Sequence, residues 1–372
     1  MKKIGITGQN GFVGKHLYNT LGLHPDKFER VPFDRAWFED TERMDAFTRE
    51  CDVIVHLAGM NRHGSPEVIL ETNVQLADRL ADSMARTASK AHIIFSSSTQ
   101  EERDNHYGRS KLAARERLLD QATKNGTIFT GLVIPNVFGP FGHPFYNSVV
   151  ATFCHQLTHQ EEPKIDNDGE LHLIYVGELV AVIIDAIGGS THAPAMRVAH
   201  SATARVSRIL SLLQLYRDEY MLKGAIPAFA DAFERNLFNT FRSYMDIPDH
   251  FPVKFTQHTD PRGSFVEVMR ASGGGQTSFS TTHPGITRGN HFHTRKIERF
   301  AVLRGEALIQ LRRIGTDEVI EFRLNGNEPA YVDMPVWYTH NISNVGQEEL
   351  LTVFWINEFF DPADPDTYMV TV

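Results

Sequence analysis

IGITGQNGFVG, residues 4–14, decides how this 372-residue chain is read. Residues 4–7 have strand character and residues 12–21 carry helical spacing, so Gly8, Gly11 and Gly14 form a Gly-x-x-Gly-x-x-Gly run between a strand and a helix. Glycine at those places lets the backbone turn tightly and approach a pyrophosphate, whose charge rests on the helix N-terminus. Without flanking elements such a run would mean only a turn; here both elements are present.

The alternation continues outward to about residue 241. Apolar residues 52–57 precede a long helical stretch at 67–86, and residues 93–96 precede another at 107–119. Repeated strand and helix predict an α/β domain of Rossmann type, a doubly wound parallel sheet covered on both faces. From about residue 255 the period changes. Residues 264–269, 300–303, 307–311, 319–324 and 351–356 read as short strands separated by Gly, Asn, Asp and Pro, which is all-β spacing of a sandwich or barrel. Between the two lies IPDHFPVK, residues 247–254, whose two prolines are expected to break any helix, giving domains 1–246 and 253–372.

Composition limits the partners. With 37 Lys+Arg against 46 Asp+Glu the formal charge is −9, and 41% of residues are hydrophobic. That balance argues against a nucleic-acid surface or an electrostatic membrane anchor. Cys51 and Cys154 are the only cysteines, which excludes a disulfide framework and fits a reducing cytoplasm. No run of about 18 apolar residues exists to span a bilayer. MKKIGITG runs straight into the strand, so Lys2 and Lys3 are not read as a signal peptide's basic region.

Chemistry first shows in YGRSK, which places Tyr107 and Lys111 one helical turn apart on one face. A phenol with a pKa near ~10 needs a neighbouring cation to exchange a proton near neutrality. Together with TGQNGFVG, this segment resembles the extended short-chain dehydrogenases and reductases. DVIVHLAG, residues 52–59, looks like that family's fourth strand with its xAG turn, and IPNVFGP, residues 134–140, resembles its sugar-nucleotide segment, with Ile134 where the family has Arg. The resemblance implies that Gly8, Gly11, Phe12, Val13, Gly14, Leu57, Ala58 and Gly59 contact a nicotinamide cofactor. It also implies that Tyr107 is the general acid, that Lys111 tunes it and holds the nicotinamide ribose, and that a Ser or Thr binds the substrate carbonyl. FSSST offers Ser96, Ser97, Ser98 and Thr99; Ser98 fits best by analogy, although the eight residues between it and Tyr107 are far fewer than is usual in the family. At the end of the second strand, Asp34 would suit a ribose 2′-hydroxyl and Arg35 a 2′-phosphate; a biosynthetic reductase favours Arg35 and NADPH.

GITRGNHFHTRKIERFAVLRG, residues 285–305, matches the first motif of the cupin barrels, with His291, His293 and Glu298. The second cupin motif is met by Pro335, His340 and Asn344, with Pro329 and Trp337 where that motif has glycines. His291 and His293 share one side of a strand by period two, and the resemblance brings Glu298 and His340 to them. Three imidazoles and a carboxylate suit zinc, or nickel or iron. His283 lies outside the motif and is read as solvated. DPRGSFVE, residues 260–267, further resembles the opening of the deoxysugar 3,5-epimerases.

Reductase followed by cupin resembles, end to end, the bacterial capsular polysaccharide enzymes that make UDP-2-acetamido-2,6-dideoxy-L-talose on the way to N-acetyl-L-fucosamine. That resemblance implies C3 epimerisation of a UDP-linked 4-keto-6-deoxy sugar by a zinc-bearing cupin, C4 reduction with NADPH, and a cytoplasmic homodimer. A single-activity 4-keto reductase with a dimerising cupin is one alternative. An NADP-sensing regulator is another, and it would have no use for Tyr107 and Lys111.

Overall fold

The computed structural model describes residues 1–190 and 192–372. The chain forms two compact units, Met1–Thr152 with Asp166–Val206, and Phe153–Ile165 with Ser207–Val372.

The first unit contains strands β1 (Lys2–Thr7), β2 (Phe28–Val31), β3 (Val53–His56), β4 (His92–Ser98), β5 (Phe129–Ile134), β6 (Asn136–Phe138), β7 (Glu170–Tyr175), β8 (Ala193–Arg197) and β9 (Ala202–Arg205). Helices α1 (Phe12–Leu21), α2 (Thr41–Glu50), α3 (Pro66–Thr87), α4 (His106–Asn125) and α6 (Val176–Gly188) alternate with them, and α5 (Val149–Thr158) begins in this unit and ends in the second. Six strands pair in the order β2-β1-β3-β4-β5-β8, every pair parallel. Both faces are covered, which the period-two alternation of β3 makes plain: Ile54 joins a core with Phe47, Leu80 and Leu118, while Val53 and Val55 join another with Leu17 and Ile183. The chain runs one way from β1 to β2 and the other way from β3 onward. A crevice at the carboxyl ends of β1 and β3 is the consequence, and in such sheets that crevice takes the ligand.

Helix ends differ in a way that matters there. Asn105 accepts a hydrogen bond from Gly108 N at 2.7 Å to cap α4, and Asp40 caps α2 through Arg43 N. α1 begins at Gly11 with no capping side chain. Its first amides are left facing the crevice, available to an anion.

The second unit contains α7 (Val206–Leu215), α8 (Ala232–Arg242) and α9 (Ile247–His250), then β10 (Val253–Lys254), β11 (Gln257–Asp260), β12 (Gly263–Val266), β13 (Gln276–Thr282), β14 (Thr287–Phe292), β15 (Glu298–Arg304), β16 (Glu306–Arg313), β17 (Val319–Asn325), β18 (Ala330–Met334), β19 (Tyr338–Asn344), β20 (Leu350–Ile356) and β21 (Tyr368–Met369). Two antiparallel sheets, β10-β18-β15-β20-β13 and β17-β16-β19-β14-β21, enclose a core that includes Phe300, Val302, Ile309, Leu311, Val332 and Ile342. β11 and β12 pair as a separate hairpin.

Two expectations about the boundary change. Residues 207–246 pack with the β unit, where buried polar groups among them find partners: Arg242, 3% exposed, donates to Met334 O at 3.0 Å, and Tyr220 donates to Asp333 at 2.8 Å. The prolines do not abolish helix either. Pro248 sits in the first turn of α9, where its missing N–H has no intrahelical partner to lose. No helix among the described residues is long and apolar enough to cross a membrane.

Candidate active site and candidate metal centre

A cleft of about 640 Å³ opens at the carboxyl ends of β1, β3 and β4 and is lined by Gly8, Gly11, Phe12, Val13, Gly14, Arg35, Leu57, Gly59, Ser96, Ser97, Ser98, Tyr107 and Lys111. The glycines are required by geometry. Gly8 has φ +80°, and a Cβ there would stand 2.7 Å from Ala58 N; a Cβ on Gly14 would stand 2.2 Å from Gly8 O. Side chains at these positions would push apart the backbone segments that form the cradle a pyrophosphate needs. Beside it a second hollow of about 400 Å³, lined by Phe33, Phe38, Leu57, Ala58, Gly59, Leu76 and Arg35, has the apolar walls that suit an adenine. Asp34 accepts from Ala36 N at 2.8 Å with one carboxylate oxygen and caps a short 3-10 turn, while Arg35 lines both hollows.

Tyr107 and Lys111 come to the cleft on the first turns of α4, and the end of β4 brings the serines. Strand alternation and local contacts separate the three. Ser96 Oγ donates to His56 O at 3.2 Å, Ser97 is engaged by Glu101, and Ser98 Oγ accepts from Gln100 N at 3.2 Å and faces the Tyr107 phenol, whose pKa it holds down. Lys111 is 5% exposed and donates to Ser96 O at 2.9 Å. Burial lowers its pKa to about 8, so the ammonium survives at neutral pH but without a wide margin. Burial raises the Tyr107 phenol to about 12, with Ser98 pulling the other way, so it is protonated and able to act as an acid.

The short link between Ser98 and Tyr107 is held by a brace that the sequence did not reveal. A 3-10 turn, Thr99–Glu102, follows β4, and Glu101 takes both Arg115 Nε and Nη2 at 3.0 Å. Gly108 of YGRSK permits the close approach, since a Cβ there would lie 2.1 Å from Gln100 O. Two further groups went unnoticed in the sequence. Asn73 of α3 ties Met60 to Ser110 of α4, donating at 2.9 Å to Met60 O and to Ser110 Oγ. Tyr146, which lines both hollows, accepts from Asn61 N at 3.0 Å, while Phe145 before it holds φ +58°. Short spacing could have pointed to the brace; nothing in the sequence pointed to Tyr146.

In the second unit His291, His293, Glu298 and His340 offer donor atoms that all lie within 4.8 Å of one another. Pairing of His291 with His340 across β14 and β19 sets two of them side by side, and Glu298 enters at the start of β15. One carboxylate oxygen of Glu298 meets His293 Nε2 at 3.2 Å, His340 Nε2 at 3.1 Å and His291 Nε2 at 3.9 Å. Outside the cluster His293 Nδ1 donates to Asp366 O at 2.6 Å and His340 Nδ1 to Tyr338 O at 3.1 Å. A carbonyl only accepts, so Nδ1 carries a proton in both rings and Nε2 is the atom each presents to the cluster. Burial lowers His291 to about 4, leaving it neutral at pH 7. This donor set fits a divalent ion.

Trp337, standing where the cupin motif has glycine, adopts φ +65° and donates its N–H to His293 O at 2.8 Å. The turn keeps its left-handed form despite the side chain. His283 is exposed and apart from the cluster, as expected.

A parallel six-stranded sheet with a glycine cradle at its switch point and a Tyr and Lys at its edge is a Rossmann-type fold of the short-chain dehydrogenase/reductase kind. The chain belongs to the NAD dependent epimerase/dehydratase family, matched by residues 4–192, and residues 258–368 match the polysaccharide biosynthesis C-terminal domain. Over its whole length, and 99% of the relative's, it is 35% identical to the UDP-2-acetamido-2,6-beta-L-arabino-hexul-4-ose reductase of Pseudomonas aeruginosa. The crystal structure of the capsular polysaccharide assembling protein CapF from Staphylococcus aureus is similar over 100% of both chains, at 35% identity and a TM-score of 0.63. RMD from Pseudomonas aeruginosa, solved with NADPH, shares the fold over 59% of this chain and 83% of its own, at 19% identity and a TM-score of 0.53.

Proposed function

We propose that the chain is a two-step nucleotide-sugar enzyme of capsule or O-antigen synthesis. Its cupin domain, residues 253–372, epimerises C3 of a UDP-linked 4-keto-6-deoxy-N-acetylhexosamine. Its reductase domain then reduces C4 with NADPH to UDP-2-acetamido-2,6-dideoxy-L-talose, a precursor of N-acetyl-L-fucosamine. The observation that carries the reading is the meeting of Ser98, Tyr107 and buried Lys111 at the end of the glycine-lined cleft. End-to-end likeness to a relative whose name is that of a 4-keto-sugar reductase supports the substrate class.

Bound NADPH supplies a hydride to C4, and a divalent ion in the histidine cluster supplies positive charge for a carbonyl or enolate oxygen. The chain's own residues do the rest. Ser98 donates a hydrogen bond to the C4 carbonyl oxygen, Tyr107 transfers its phenolic proton to that oxygen, and the Lys111 ammonium stabilises the phenolate left behind. Arg35 pairs with the 2′-phosphate that distinguishes NADPH. His291, His293, Glu298 and His340 hold the ion, most simply zinc. The assembly we propose is a cytoplasmic homodimer.

Epimerisation needs no cofactor, because the ketone acidifies the C3–H, whereas reduction does. In deuterated water without NADPH the intact protein should therefore place deuterium at C3 of the UDP-4-keto sugar, and adding NADPH should consume cofactor and yield the reduced sugar. Absence of NADPH turnover with every UDP and dTDP 4-keto sugar tried would overturn the proposal. Turnover without labelling at C3 would leave the narrower reading, a 4-keto reductase with a structural cupin, which the relative's name as a reductase alone favours.

A further inference from the structure

His293 and Glu298 are joined by the loop 294–297, and the order of that loop decides how the two ligands face one another. Its amides do not pair within the loop. Thr294 N, Arg295 N and Lys296 N all donate to the carboxylate of Asp366, at 3.1, 2.9 and 3.0 Å, and Thr294 Oγ1 donates to it at 2.6 Å. Ile297 N goes to Asn357 Oδ1 at 2.8 Å. Asp366 is 3% exposed, and its backbone carbonyl is the group that receives His293 Nδ1. A desolvated carboxylate in a ring of convergent amides is a strongly held anion, and charge-assisted bonds of this kind are about twice as strong as neutral ones.

The neighbouring side chains draw the same two segments together. Lys296 Nζ donates to Pro365 O at 2.6 Å, and Arg295 pairs with Glu358 at 3.1 Å and Asp364 at 2.9 Å. One residue, 73 positions beyond His293, thus fixes that ligand's tautomer with its carbonyl and the ligand loop with its side chain.

Resting on the metal reading above, we infer that Asp366 is a positioning residue of the histidine cluster, one that sets its affinity for a divalent ion without touching the ion. The unbound loop, with three unsatisfied amides, would sample many spacings of His293 and Glu298; the carboxylate selects one. Groups that orient ligands in this way typically account for about 10–100-fold in metal affinity.

The test uses the full chain loaded with Zn²⁺ or Co²⁺. Asp366→Asn keeps the backbone carbonyl but turns an amide NH₂ toward amide donors. Zinc affinity, read by competition with a chromogenic chelator, should fall about 10–100-fold, and the visible Co²⁺ bands should shift and weaken. A structural role remote from the ion would leave the bands unmoved. Should Asp366→Asn fail to fold, Thr294→Val removes only the 2.6 Å bond and should weaken zinc about threefold with unchanged circular dichroism. Wild-type affinity and wild-type Co²⁺ bands in the variant that folds would overturn the inference alone. A wild-type chain that takes up neither ion would overturn the metal reading, and this inference with it.

Discussion

In the first unit the groups of the cleft are gathered at the carboxyl end of a parallel sheet around open space, whereas in the second unit three imidazoles converge on a single carboxylate oxygen of Glu298. The cleft is made by what is missing. Gly8 and Gly14 have no Cβ and so let the backbone close tightly, α1 has no capping side chain, and the cleft above them has the size of an organic ligand. The cluster is made by what is present, three imidazoles whose outer nitrogens are turned by backbone carbonyls or held at a strand crossing. An open site for a cofactor and a sugar spreads its groups around the space the ligands fill, while a site for an ion brings its donors to one point. Removing one group should therefore act locally in the first unit and spread through the second.

The largest effect expected under that contrast is in the cluster. The wild-type chain should carry about one divalent ion, and His291→Ala with His340→Ala should abolish it, since two of four ligands leave no closed site; metal analysis of the purified protein decides. The same variant should lower the melting temperature of the second unit and leave NADPH binding to the first unchanged. Loss of NADPH binding as well would break the separation of the two sites.

Next in size is the acid. Tyr107→Phe should cost about 10²-fold or more in kcat while NADPH affinity, followed by fluorescence, changes little. Deuterium exchange at C3 should survive. A Phe variant with unchanged turnover would remove Tyr107 from the chemistry.

A third expectation sharpens the role of burial. Lys111 has its pKa lowered to about 8, so its stabilising charge is present below that pH and lost above it, while Tyr107, raised to about 12, stays protonated throughout. The kcat/KM for reduction should be level below pH 8 and fall about tenfold per unit well above it. A level profile to pH 10 would show that Lys111 is not the cation on which the phenol depends.

The smallest effect belongs to the cofactor's far end. Arg35→Ala should weaken NADPH by about tenfold or more and leave NADH alone, in keeping with one charge-assisted contact. Equal losses for both would move attention to the adenine walls, Phe33 and Phe38.

Much of this was written locally in the chain. The helix over residues 12–21 falls at Phe12–Leu21, and the stretches at 67–86 and 107–119 lie inside α3 and α4. Glycine spacing, one-turn spacing of Tyr107 and Lys111, and period two at His291 and His293 each describe residues a few positions apart, where backbone geometry alone relates one side chain to the next. Only the tertiary structure decided which serine of FSSST faces Tyr107, that Asp34 caps a turn while Arg35 lines the cleft, and that Tyr146 closes against Asn61. The same is true of residues 207–246 and of Asp366, whose partners lie tens of positions away. Such pairings depend on which buried donors and charges find acceptors once two distant segments have come into register, and no periodicity in either segment carries that information.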